Sequence, residues 1–226
     1  MSSTDTRQEA LQHYRDNKFA YEHVRRQLER VRRKFENGNK ELQRKMLRTS
    51  HRFAVLSIQA PVDRHEAAFK QLEGMENAEK DPLRSLNYWK NKAEWIKDLD
   101  GCHETIDSVI DSLLEGDLDT AHKTLIDDVK GVGAVKAAFT IAMLGFTGKM
   151  CLDTNVQQAA SIDEVYSGVV VDKYEKQCET VLAAFSTLSH RDGLDLDPFM
   201  VQWVLFDYRR GEVSLHKPYF DAQEGK

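Results

Sequence analysis

Residues that stop a helix are scarce in this chain. Four prolines and twelve glycines occur among 226 residues, and these are the residues that break helices or reverse strands. The long stretches between them carry apolar side chains at three- and four-residue steps, which predicts an all-α protein rather than a many-turned β protein. Thr6 to about Asn37 places Ala20, Val24, Leu28, Val31 and Phe35 on one face, and Gly38 supplies a stop. A second helix is predicted from Lys40 to Ile58, with Leu42, Met46, Leu47, Phe53, Ala54 and Leu56 apolar and Pro61 limiting its continuation. Asp63 is placed to cap a third, in which Ala67, Ala68, Phe69 and Leu72 form the apolar face. Gly74 to Pro82 reads as a loop. Further helices are predicted over Leu83–Leu99, Cys102–Leu114, Leu118–Val129, Ala134–Leu144, Asn155–Ala160, Val165–Thr187 and Pro198–Tyr208. Val169-Val170-Val171 is the one β-like run, and it is short.

Several classes are excluded early. No stretch approaches the roughly 18–20 apolar residues of a membrane span. Met1-Ser2-Ser3-Thr4-Asp5 lacks the apolar core of a secretory signal. An intracellular protein with no membrane partner is therefore expected. Cys102, Cys151 and Cys178 are odd in number and widely spaced, which excludes a disulfide scaffold and a four-thiolate metal or iron–sulfur site. His65, His103, His122, His190 and His216 are scattered without metal-ligand spacing, so no metal is expected.

The formal net charge of −5 hides a strong polarity. From Arg25 to Arg52 eleven basic residues face only Glu29, Glu36 and Glu41, a balance of +8. From Asp98 to Asp128 ten acidic residues face only Lys123, a balance of −9. A basic block of this density is a footprint for a polyanion if it folds onto one face, and otherwise the solvated side of an amphipathic helix.

The stretch that carries chemistry is Leu125-Ile126-Asp127-Asp128-Val129-Lys130-Gly131-Val132-Gly133-Ala134-Val135-Lys136-Ala137-Ala138-Phe139. One amphipathic helix meets a tight Gly131-Val132-Gly133 turn, and a second, Ala-rich helix begins at once. The opening N–H groups of that second helix have no internal partner and sit at the positive end of its dipole, where a phosphate oxygen is welcome. Lys130 and Lys136 bracket the site with positive charge. Eighteen residues after Val135 comes Leu152-Asp153-Thr154-Asn155-Val156, an acid at the start of another helix.

In these motifs the chain resembles the helix-hairpin-helix DNA glycosylase superfamily, the endonuclease-III-like family. The signature is a Gly-Val-Gly hairpin followed at this spacing by an Asp-x-His/Asn motif. Leu56-Ser57-Ile58-Gln59-Ala60 is similar to the family's Leu-x-Ser-x-Gln segment, whose Gln probes the helix beside an extruded base. Asn91-Lys92-Ala93-Glu94-Trp95-Ile96 resembles the Lys-Ala-x-x-Ile helix that precedes the hairpin, and Leu118-Asp119 through Leu125 matches the first hairpin helix. The pieces occur in family order over roughly residues 45–160. The resemblance implies a two-lobed helical glycosylase fold spanning 1–226 as a single unit. Basic N-terminal helices 6–58 would contribute to one lobe, about 83–160 would form the hairpin lobe, and C-terminal helices 165–208 would pack back.

The resemblance also assigns roles. Asp153 stands at the catalytic acid, where a carboxylate stabilises the oxocarbenium-like transition state and orients or deprotonates the incoming water. Read without the resemblance, Asp153 merely caps the next helix. Lys130, Gly131, Val132, Gly133 and Lys136 are implied to contact DNA. Asn155 is implied to contact the backbone, with a second helix cap as its alternative. Gln59 is implied to fill the gap left by the base, or else is simply exposed. Bifunctional members carry a Schiff-base Lys two residues after the second hairpin Gly, and here Val135 occupies that position. Lys136, one residue and about 100° further on, should face away from the pocket, toward a phosphate or solvent. Tyr88, Trp89, Trp95, Trp203, Phe206 and Tyr208 are candidate stacking surfaces; Trp89 and Val135 are the first choices for a base pocket.

The reading is a monofunctional, water-using glycosylase that flips a damaged or modified base of double-stranded DNA. It would act as a monomer with neither cofactor nor iron–sulfur cluster, the hairpin backbone leaving room for a monovalent cation. Two alternatives stay open: a viral-type base-modifying transferase on the same fold, and a non-catalytic DNA-binding module.

Overall fold

The helical period seen in the sequence governs the whole structure. The computed structural model describes residues 3–72, 80–160, 171–191 and 196–225, and every regular element among them is an α-helix. Val169 and Val170 lie outside the described residues, while Val171 opens a helix. No helix among the described residues is long and apolar enough to cross a membrane.

The chain divides into two compact units. One comprises Met1–Arg26 and Thr147–Leu215, the other Gln27–Phe146 and His216–Lys226. The division at Phe146 and Thr147 falls inside the stretch 83–160 that the resemblance groups as one lobe.

The unit holding most of the chain is organised around α3 (Lys40–Leu56). Asn39 caps this helix by accepting from the Leu42 N–H at 2.9 Å, and Met46, Leu47, Phe53, Ala54, Val55 and Leu56 bury its apolar side. α9 (Ala134–Met143) packs against it, with Ala137, Ala138 and Ala142 wholly buried; side chains of one carbon let the helices approach closely. Around this pair lie α4 (Val62–Leu72), α5 (Lys80–Leu83), α6 (Trp89–Gly101), α7 (His103–Glu115) and α8 (Leu118–Asp128). A helix not predicted from the sequence, α13 (Lys217–Glu224), docks through a buried polar network. Tyr219 donates to the Met143 carbonyl at 2.6 Å, and Gln223 donates to the Met46 carbonyl at 3.1 Å and to the Tyr219 oxygen at 2.8 Å.

The basic block does not lie free on the surface of α3. Lys40, Arg44, Arg48 and Arg52 recur every four residues and so form one stripe. They pair with Asp111, Asp107 and Asp100 of α6 and α7: Lys40 with Asp111, Arg44 with Asp107, and both Arg48 (3.7 Å) and Arg52 (2.7 Å) with Asp100. Along this stripe the two charge blocks thus partly neutralise each other.

The other unit contains α1 (Ser3–Asp16), the start of α2 (Lys18–Glu36), α10 (Thr154–Ala159), α11 (Val171–Arg191) and α12 (Pro198–Arg210). The single helix predicted over residues 6–37 is interrupted at Asn17, whose backbone N–H and side-chain amide both donate to the His13 carbonyl, at 3.2 and 2.9 Å. α12 packs on α10 and α1. Wholly buried Asp207 accepts from the Ser214 N–H at 3.0 Å and hydroxyl at 2.7 Å, closing the turn that follows α12.

Candidate nucleic-acid interface and catalytic acid

α8 and α9 meet at the predicted hairpin. Gly131 has φ +79° and is exposed, and a Cβ there would lie 2.3 Å from the Trp95 indole. Both the left-handed backbone and the covering ring therefore demand glycine. Val132 is buried, its N–H bonding to the Val129 carbonyl at 3.2 Å. Gly133 begins α9 in extended conformation with no side-chain cap. The Lys130 N–H bonds to Asp98 at 2.9 Å, and its side chain is exposed beside the turn.

Lys136 is half-buried. Its Nζ donates to the Ser57 hydroxyl at 2.8 Å and lies 5.4 Å from the centre of the Phe139 ring. Ser57 belongs to the Leu-x-Ser-x-Gln segment, so the hairpin lysine and that segment come together. Val135 is half-buried.

Lys92 holds the same segment from beneath. Its side chain is fully buried, and Nζ donates to the Leu56 carbonyl at 2.9 Å and the Ile58 carbonyl at 2.6 Å, satisfying acceptors that the end of α3 leaves open. Burial, with the nearby Lys136 charge, pushes this amine down to about 8. Gln59 is exposed on left-handed backbone (φ 46°), its carbonyl accepting from Asn87 at 3.1 Å. Beside Asn87, Tyr88 is 54 % exposed, also with positive φ (57°). Trp89 is half-buried, with Arg84 and Lys90 at 5.9 and 5.5 Å from its ring. An aromatic ring flanked by two cations thus lies close in sequence to Asn87, which bonds Gln59.

The remaining aromatic candidates have structural work. Trp95 covers Gly131. Trp203 is buried and donates to the Ser214 carbonyl at 3.1 Å, Phe206 lies under Arg210 at 5.3 Å, and Tyr208 bonds Glu9.

Asp153 and Asn155 belong to the other unit. Asp153 is half-buried and is the N-cap of α10: Oδ1 accepts from the Val156 N–H at 2.9 Å. One carboxylate oxygen is thereby fixed at the positive end of a helix. Asn155 lies within α10 rather than at its cap, and is half-buried. Sequence reasoning missed Tyr174, whose buried hydroxyl donates to the Met150 carbonyl and accepts from the Leu152 N–H at 3.2 Å. It clamps the residues leading into Asp153, and no local motif announces it.

Nor did the sequence group any histidines. Buried His65 and His216, 151 residues apart, converge with Glu66 in the unit built on α3.

No family model matches the sequence, and no curated protein matches it. Among solved structures, the 8-oxoguanine DNA glycosylase of Thermotoga maritima superposes with a TM-score of 0.71 at 18% identity, covering 94% of this chain and 100% of that one. The fold of this chain is the fold of that structure. The 8-oxoguanine DNA glycosylase of Methanocaldococcus jannaschii agrees, with a TM-score of 0.58 at 14% identity over 89% of this chain and 98% of that one. Along the chain the Gln59 corner follows α3, the hairpin joins α8 to α9, and Asp153 precedes α10.

Proposed function

We propose that this protein is a DNA glycosylase that extrudes a damaged base from duplex DNA and hydrolyses its bond to deoxyribose. The observation that carries the reading is the Asp153 carboxylate, pinned by the Val156 N–H at a helix N-terminus, in a chain with the glycosylase fold. Breaking the N-glycosidic bond builds positive charge on the sugar. A carboxylate already oriented needs no reorganisation to stabilise that charge, and it can take the proton of the attacking water. The hairpin N–H groups and Lys130 would hold a phosphate, and Gln59 would enter the stack when the base leaves. Asn155 would contact the backbone, and Trp89 with Val135 would line the base pocket. Both solved structures that share the fold are 8-oxoguanine glycosylases by name, so 8-oxoguanine is the first substrate to offer.

Val135 at the Schiff-base position supports a water-using, monofunctional enzyme. A second reading is favoured by one observation: the Lys136 amine sits on Ser57 rather than in bulk solvent, where an amine could attack the sugar and add strand cleavage.

The test is an end-labelled duplex with 8-oxoguanine opposite cytosine, followed by a panel of other damaged or modified bases. Alkali-labile sites at the lesion, with free base released, are expected. Failure to form an abasic site from any member of the panel contradicts the proposal. A mass change in the nucleoside without base release points to the transferase reading, and salt-sensitive binding without chemistry to a binding module.

A further inference from the structure

The unit built on α3 buries a cluster that the proposed reaction does not use. His65 and Glu66 are consecutive on α4, and His216 stands on left-handed backbone (φ 44°) immediately before α13. One ligand atom from each of the three, two imidazole nitrogens and a carboxylate oxygen, lie within 4.8 Å of one another. His216 Nδ1 is 2.8 Å from Glu66 Oε1. Both imidazoles pack edge-on against Phe53, at centroid distances of 4.9 and 5.0 Å. His65 is 2% exposed, and neither of its ring nitrogens makes a well-formed hydrogen bond, the Pro61 carbonyl acting on the ring only weakly. A buried polar ring left in that state is costly, and native structures rarely tolerate it without a reason.

We propose that His65, Glu66 and His216 form a binding site for a divalent transition-metal ion, zinc first among them. Two imidazole nitrogens and one carboxylate oxygen are a familiar zinc donor set, with the fourth tetrahedral position left to water. The same set is poor for magnesium and calcium, which want a shell of oxygens. Charge sharpens that choice. Lys92 and Lys136 both direct positive charge at His65, and Glu66 is the single carboxylate of the group. An ion held by charge alone is disfavoured there, whereas one that bonds strongly to imidazole is not. Zinc bound at His216 Nδ1 would take the place of the proton held between His216 and Glu66, which passes to the other nitrogen of that ring, and would give the His65 ring a strong partner. Because the ligands come from α4 and from the residue preceding α13, the bound ion would staple the last helix to the rest of its unit. The inference does not depend on the glycosylase reading, and its test uses no DNA.

Full-length protein is treated with a chelator, exchanged into metal-free buffer and titrated with zinc chloride or cobalt(II) chloride. One equivalent should bind. Cobalt should give the intense visible d–d bands of a tetrahedral site, and zinc should bleach them. At a hundredfold excess over Kd, zinc should raise Tm by about 5–10 °C. His65→Phe keeps the aromatic packing and Glu66→Gln keeps a polar partner for His216. Each should weaken zinc binding by more than the roughly 10–100-fold that loss of an outer-shell partner costs, with the far-ultraviolet circular dichroism unchanged. The proposal is overturned if wild-type protein shows neither cobalt bands nor a zinc-dependent rise in Tm. It is also overturned if both folded variants bind zinc as tightly as the wild type.

Discussion

Lys136 and Ser57 are joined by a hydrogen bond of 2.8 Å, Nζ donating to Oγ, so the second hairpin helix is tied to the end of α3. The contact separates two chemistries. If Val135 at the nucleophile position means that water attacks the sugar, borohydride added during turnover should trap no covalent protein–DNA adduct, while free base still accumulates. An adduct that disappears in Lys136→Ala would instead make Lys136 the nucleophile.

The hairpin glycine has a steric and a conformational reason to be glycine. Gly131→Ala places a Cβ against the Trp95 ring on left-handed backbone. A loss of roughly 1–2 kcal/mol for the backbone conformation and about 1–3 kcal/mol for the overlap is expected in urea unfolding. Adding Trp95→Ala should make the Gly131→Ala step less costly by the steric share alone. Equal costs in both backgrounds would show that the ring does not constrain the turn.

Charge pairing on α3 predicts which cations DNA feels. Lys40 and Arg44 already engage Asp111 and Asp107, whereas the exposed Lys130 side chain stands at the hairpin. Lys130→Ala should weaken duplex binding and lower the slope of log K against log salt by about one. The double change Lys40→Ala and Arg44→Ala should leave that slope within experimental error. A reversed pattern would place the DNA along α3.

His51 sets part of the acid sensitivity. It is wholly buried, its Nε2 lies 3.3 Å from the Trp95 carbonyl, and burial lowers its pKa to about 4 from the usual 6.5. Because the folded value is depressed, the neutral ring's contribution is fully present above pH 6.5. It is lost as pH falls toward 4, where the unfolded chain binds a proton that the native state refuses. The loss amounts to about 3 kcal/mol by pH 4. Urea unfolding at pH 7 and pH 4 should show a smaller pH-dependent drop in a folded His51→Phe variant. An identical drop would remove His51 from the account.

Local signals explain what was legible in the sequence. Gly38 follows the end of α2 and Pro61 the end of α3, the left-handed Gly131 turn needs only its own backbone, and Asp153 caps the helix it immediately precedes. Each is decided by neighbours along the chain. The features that escaped are decided by partners far away. The repeat Lys40, Arg44, Arg48 and Arg52 looks the same whether it faces phosphate or aspartate, and only the fold brings Asp100, Asp107 and Asp111 beside it. Tyr174 reads as an ordinary apolar-face residue until Met150 and Leu152 lie against its hydroxyl. The interruption at Asn17, where side chain and backbone share the His13 carbonyl, leaves no mark in the helical periodicity.

The central claim is that the Asp153 carboxylate speeds hydrolysis of the bond between base and sugar. Single-turnover excision by the wild-type protein and by Asp153→Asn, on one 8-oxoguanine duplex with DNA saturated by protein, tests it directly. Asparagine can still cap α10 through its side-chain oxygen, so fold and DNA affinity should be kept while the rate falls by roughly 10²–10³-fold or more. An Asp153→Asn protein that binds DNA normally and excises the base at the wild-type rate would contradict the account.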